Sequence, residues 1–213
     1  MIRGVARRAL PRPDSAEYPW DPERTCALVG DDPALAAALE RRLSARAWRV
    51  VTLPQAAIGE VHDAQWAQLG RVGAVVSVAP RSAGDELLGS AADDAWLMGQ
   101  FRLARRVSAD LQRLGAPRSW FVAVTRIDGA LGLSPSHATS NVVAAGVYGL
   151  VKTLRLEWPT VFCRAIDLHP RLDAAFAAER IVEELHDPDQ TLAEVGHGPD
   201  GRSTVAVMEQ RDD

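Results

Sequence analysis

Cysteine is scarce in this chain of 213 residues: Cys26 and Cys163 are the only two. Each lies inside an apolar run, which excludes a disulfide framework and reads as a pair of buried free thiols in a reducing compartment. Metal spacing is missing as well. Neither cysteine is joined to a histidine at ligand distance in sequence, and His62, His137, His169, His186 and His197 are scattered without the i,i+4 spacing of a helical metal site. No metal ligand is expected. No apolar run reaches membrane-spanning length and no signal peptide opens the chain, so the expectation is a cytoplasmic protein without a membrane partner. The opening "MIRGVARRALPR" carries a cluster of basic charge, Arg3, Arg7, Arg8 and Arg12. Without a second basic cluster to extend it, that stretch reads as a short solvated edge and not as a nucleic-acid interface.

What the chain does have is 47% apolar residues and a net charge of -4, the makeup of one soluble α/β domain with enough material for a core. Residues 1–24 read as an N-terminal strand and a Pro-rich linker, "LPRPDSAEYPWDPE", and 25–213 as a single domain. Within that domain apolar strands alternate with helices. The strands are "TCALVG" (25–30), "WRVVTL" (48–53), "VGAVVSVAP" (72–80), "SWFVAVT" (119–125) and "VFCRAIDL" (161–168). Their near-continuous apolar character predicts a parallel sheet buried on both faces. Leu35, Leu39 and Leu43 share one face of the first helix. A long helix over 88–115 steps through Leu97, Phe101, Ala104, Val107, Leu111 and Leu114, and another over 139–157 through Val143, Val147, Leu150 and Leu154. A helix over 171–187 and a closing hairpin around Gly198-Pro199-Asp200-Gly201 complete a truncated Rossmann-like fold.

A dinucleotide in such a fold sits at the carboxyl ends of the strands, where glycines let the pyrophosphate approach a helix N-terminus. Here the first strand runs into Gly30-Asp31-Asp32-Pro33. Asp32 before Pro33 reads as an N-cap, which puts a carboxylate where phosphate would bind. Fewer than 20 residues separate Leu53 from Val72, room for one small crossover and not for two with a strand between them. One βα unit is therefore missing, and no cofactor-binding residue is expected.

The stretch "YGLVK" sets Tyr148 and Lys152 at i,i+4 on one helical face. A lysine so placed could lower the phenol's pKa and make it a general acid. A serine would complete such a site, and Ser134, Ser136 and Ser140 fall in the 22 residues between Thr125 and Tyr148. That loop is longer than a working site needs, which favours a structural reading of Tyr148. The paired acids Asp93-Asp94, Glu183-Glu184 and Asp212-Asp213 read as solvated helix ends or tails. The six tryptophans read as core and interface anchors.

"TRIDGALG" (125–132), followed by "GVYGLVKTLRLEWPTVFCRAIDL" (146–168), resembles the structural, cofactor-free subdomain of the ketoreductase domain in type I polyketide synthases and polyunsaturated-fatty-acid synthases. That family is similar to two short-chain dehydrogenase subunits fused in one chain, the first truncated and inert, the second binding NADPH and reducing a β-keto thioester. The resemblance implies no catalytic residue in this chain. It implies a scaffold whose partners are the catalytic ketoreductase half and neighbouring synthase domains, with a homodimer when isolated. Two alternatives stand beside it: an active NADPH-dependent reductase using Tyr148, Lys152 and Ser136, and a free-standing interaction module of a synthase. Dehydrogenases of the resembled type pair their two long helices with those of a second subunit. Trp96, Met98, Tyr148 and Val151, apolar beyond the sheet-facing stripes, are the expected partner surface.

Overall fold

Runs of β-branched residues between turn residues become strands whose side chains alternate between two cores. The computed structural model describes residues 2–58, 63–81, 91–113, 118–134 and 143–210. Its strands are β1 (Ile2–Ala9), β2 (Arg24–Val29), β3 (Arg49–Leu53), β4 (Arg71–Val78), β5 (Ser119–Thr125), β6 (Val161–Leu168), β7 (Glu194–Gly198) and β8 (Gly201–Gln210). They form one sheet in the order β1-β8-β7-β6-β5-β4-β2-β3, parallel from β3 to β7 and antiparallel at β8 and β1. Cys26, Leu28, Trp120, Val122 and Val124 pack on one side beneath helices α1 (Pro33–Ser44) and α5 (Ala174–Leu185). Ala27, Val29, Phe121 and Ala123 pack on the other beneath α3 (Ala91–Arg113) and α4 (Val147–Glu157). Both cysteines are buried and unpaired, and burial pushes Cys163 up to about 12 and raises Cys26 as well.

The short crossover is present as read. Between β3 and β4 lie a 3₁₀ turn (Gln55–Ile58) and the five-residue α2 (Asp63–Ala67), and β4 then pairs with β2, leaving β3 at the edge. A full doubly wound sheet carries one more strand beyond that edge. Asp32 caps α1 by accepting Leu35 N–H at 3.1 Å, with Pro33 at the first helical position, and Asp173 caps α5 by accepting Phe176 N–H at 2.8 Å. No helix among the described residues is long and apolar enough to cross a membrane.

The long-helix boundaries differ from those read off the sequence. Residues 82–90, 114–117 and 135–142 lie outside the described residues, so Leu114 and the start of the 139–157 helix do too. A 3₁₀ turn (Ala144–Gly146) leads into α4. Ala104, Val107 and Leu111 of the expected α3 stripe are buried as read, but the first turns are shifted by one residue: Trp96, Gln100 and Leu103 are buried, whereas Phe101 points outward, 52% exposed. Trp96 wins the core because it buries more apolar area than Leu97, which is left half-covered beside it. The Pro-rich stretch is packed onto the body and is no free spacer. Trp20 stacks on Trp48 at 4.1 Å, and Tyr18 meets Trp120 edge-on at 6.1 Å.

Candidate functional site

Ligands of this architecture bind where the strand order reverses, here between the carboxyl ends of β2 and β4. Gly30 follows β2, and a Cβ built on it would lie 3.0 Å from the Val78 carbonyl oxygen and 3.1 Å from Val78 Cβ. Its small size lets the end of β4 approach. Asp32 Oδ2 accepts from Arg81 Nε at 3.0 Å and Arg126 Nη2 at 3.2 Å, and Oδ1 takes the Leu35 N–H. These donors outweigh burial and hold the Asp32 carboxyl below its usual range. Asp31 Oδ1 accepts Gln55 N–H at 3.0 Å. The cavity left beside Gly30, Asp32, Thr52 and Val78 has a volume of about 10 Å³, about the space of one water. Among the described residues, a carboxylate held by two guanidinium groups caps the helix end at which a pyrophosphate would be bound.

Tyr148 and Lys152 sit on one helix and serve different carboxylates. The Tyr148 hydroxyl is 2.9 Å from Thr125 Oγ1, and Thr125 donates to Asp167 Oδ1 at 3.0 Å, so Tyr148 is the donor to Thr125. Burial, then the charge of Asp167, pushes the phenol well above its ordinary value, the reverse of what a general acid near neutrality needs. Lys152, the chain's single lysine, pairs with Glu194 at 2.8 Å. Ser134 is tied through its backbone N–H to Asp128 at 3.0 Å. Ser136 and Ser140 lie outside the described residues.

The described part of the loop after β5 is anchored on a buried carboxylate of β6. Asp167, fully buried in β6, accepts Thr125 Oγ1, Ile127 N–H at 2.8 Å, Asp128 N–H at 3.3 Å and Leu131 N–H at 3.0 Å. Asp128 accepts the N–H groups of Ala130, Gly132 and Ser134. Burial and the hydrogen bond to Asp128 push Asp167 up to about 7. Asp128 stays low in spite of burial because Asp167 and three N–H groups donate to it. Gly129, at φ +70°, has no room for a side chain, since a Cβ would stand 2.3 Å from the His197 carbonyl oxygen. Leu131 also holds a left-handed φ of 64°, a strain offset by its bond to Asp167.

Of the residues expected to face a partner, Trp96, Tyr148 and Val151 belong to this chain's own core, and Met98 alone is outward, 59% exposed, beside Phe101. An apolar residue flanking a stripe is covered by the sheet when the stripe is wide, as it is on α4. The acid pairs differ from expectation too. Asp93 and Glu184 are buried; Asp212-Asp213 lies outside the described residues. Glu184 anchors a buried ion network missed in the sequence. Arg164 Nη1 meets Glu184 at 2.7 Å and Asp187 at 2.8 Å, His197 Nε2 meets Glu184 at 2.8 Å, and Arg202 binds both acids. The usable signal was an arginine in the middle of the mostly apolar strand "VFCRAIDL", which must be paired if the strand is buried. His62 and His137 are outside the described residues, and no group of metal-ligating side chains occurs among the described ones.

No protein-family model matches the sequence, and no curated protein matches it. Solved structures do match. A multidomain structure of adenylation, ketoreductase and pseudo Asub domains from a keto acid-selecting NRPS module superposes with a TM-score of 0.69 at 11% identity, over 98% of this chain and 18% of that one. A-type ketoreductases from a modular polyketide synthase give a TM-score of 0.59 at 21% identity, over 99% of this chain and 43% of theirs. A putative short-chain dehydrogenase/reductase from Aeromonas hydrophila gives 0.57 at 14% identity, over 80% of this chain and 96% of that one. The chain thus spans less than half the length of the ketoreductase chains it matches. At these identities the likeness is one of fold: the chain has the Rossmann-like α/β fold that short-chain dehydrogenases share with synthase ketoreductase domains, built on an eight-stranded, mostly parallel sheet.

Proposed function

We propose that this chain is a non-catalytic scaffold, the structural half of a β-ketoacyl ketoreductase in a polyketide or fatty-acid megasynthase. In this reading NADPH and the reducing chemistry belong to a partner catalytic half that the chain steadies. The observation that carries the reading is the closed crevice between β2 and β4, where Asp32, held by Arg126 and Arg81, occupies the place a pyrophosphate would take. The commitment of Tyr148 to Thr125 and Asp167 supports it, as does the 43% of an A-type ketoreductase chain that this chain spans. The partner surface in this reading is the outer side of α3 with Met98 and Phe101.

Titration calorimetry of the chain with NADPH tests the reading. The expected trace is silent. Binding tighter than about 100 μM, or reduction of a β-keto thioester by the wild type that Tyr148→Phe abolishes, would replace the scaffold with an active reductase.

A further inference from the structure

A cavity of about 340 Å³ lies between the end of β1, helix α5 and the β7–β8 hairpin, lined on its polar side by Arg12, Arg180, Arg202 and His197 and by no carboxylate. In a chain of net charge -4, that wall runs against the overall sign. Acids outside the lining pair these groups: Glu184 and Asp187 hold Arg202, Glu184 holds His197, and Glu179 and Glu183 hold Arg12 and Arg180. Donors are left over. Arg12 engages both acids through Nη2 alone, and Arg180 Nε is buried without an acceptor. A guanidinium has five N–H donors, so one carboxylate already bound does not prevent a second. Leu172 and Phe176 supply the apolar part of the lining. Phe176 is 50% exposed and carries the Arg180 guanidinium 4.9 Å from its ring. Concave volume, an apolar body and a few convergent polar groups are the features of a small-ligand site.

We propose that this cavity binds a small organic carboxylate with an apolar body, its carboxylate taken by Arg12 and Arg180 and its body laid on Phe176 and Leu172. The site is apart from the β2/β4 crevice and from the outer face of α3, and it does not rest on the scaffold reading. The test is a backbone-amide NMR titration of the chain with phenylacetate, with the neutral isostere phenylacetamide and with inorganic phosphate. Phenylacetate should give saturable shifts at Phe176, Arg180, Gly198 and Gly201 with a Kd of about 1 mM or tighter. The amide and phosphate, each lacking half of the recognition, should bind at least about fivefold more weakly. Arg180→Gln should weaken phenylacetate about tenfold. Arg12→Gln, on a side chain 69% exposed, repeats the test where folding is not at risk, and Phe176→Ala tests the apolar wall. No saturation below about 20 mM, equal affinity for the amide or for phosphate, or unchanged affinity in all three variants would overturn the proposal.

Discussion

Asp167, at the carboxyl end of β6, and Glu184, in the last turn of α5, are both fully buried, and they keep their places by different means. Around Glu184 stand two guanidinium groups and an imidazole, which overcome burial and bring it down to about 2. Around Asp167 stand a hydroxyl, three backbone N–H groups and a second carboxylate, Asp128, and burial pushes it up to about 7. Desolvation acts on both in the same direction; the sign of the neighbours decides the outcome. The first cluster is an ionic lock joining β6, α5, β7 and β8. The second joins two carboxylates and pins the loop that follows β5.

Removing the cations should break that contrast most severely. Arg164→Ala leaves two buried acids to Arg202 and His197 and should cost about 3–5 kcal/mol in urea denaturation. A loss under about 1 kcal/mol would mean that these two partners hold the pair without Arg164.

The two carboxylates should also divide the pH axis. Glu184 titrates lower in the folded chain than its ordinary 4.5, so its contribution is present above that value and is lost as pH falls towards about 2. Asp167 titrates higher in the folded chain than its ordinary 3.8. The native state therefore holds the extra proton, and stability from this group is complete in acid and declines as pH rises towards about 7. Urea midpoints across this range should show that decline in the wild type and not in Asp167→Asn. An identical slope in the variant would remove Asp167 as its source.

Tyr148→Phe deletes the outer bond of the Asp167 cluster while keeping the ring in the core, and should cost about 1 kcal/mol by thermal or urea unfolding. A loss several times larger would show that the hydroxyl organises the whole loop. Phe101→Glu, outside both clusters, should change stability by no more than about 0.5 kcal/mol. Under the scaffold reading it should also abolish any self-association seen by analytical ultracentrifugation. Val151→Glu would be no such probe, because Val151 is fully buried and a charge there attacks the core.

Local features carried their own signals. The Asp32-Pro33 start of α1, the strands 119–125 and 161–168, the Gly198–Gly201 turn and the short crossover after β3 are all found as read. The phase of the first turns of α3 was not legible, because Trp96, Leu97 and Phe101 each belong to a plausible stripe and only the fit against the sheet selects one. Nor was the Asp128–Asp167 pair, since its members are 39 residues apart and meet only when β5 and β6 align.

The Asp32 cap after β2 and the short crossover after β3 were legible from the chain alone, because both depend on which residues stand next to one another: Gly30, two acids and Pro33, then few residues between two strands. Tertiary structure alone decided what Tyr148 does and what Glu184 means. The spacing of Tyr148 and Lys152 suits a proton-transfer pair. Yet the phenol's partner comes from β5 and the lysine's from β7, and the acid that looked like a solvated helix end is sealed by arginines from β6 and β8. Charge state and hydrogen-bond direction are set by neighbours in space, and those neighbours exist only once the sheet has formed.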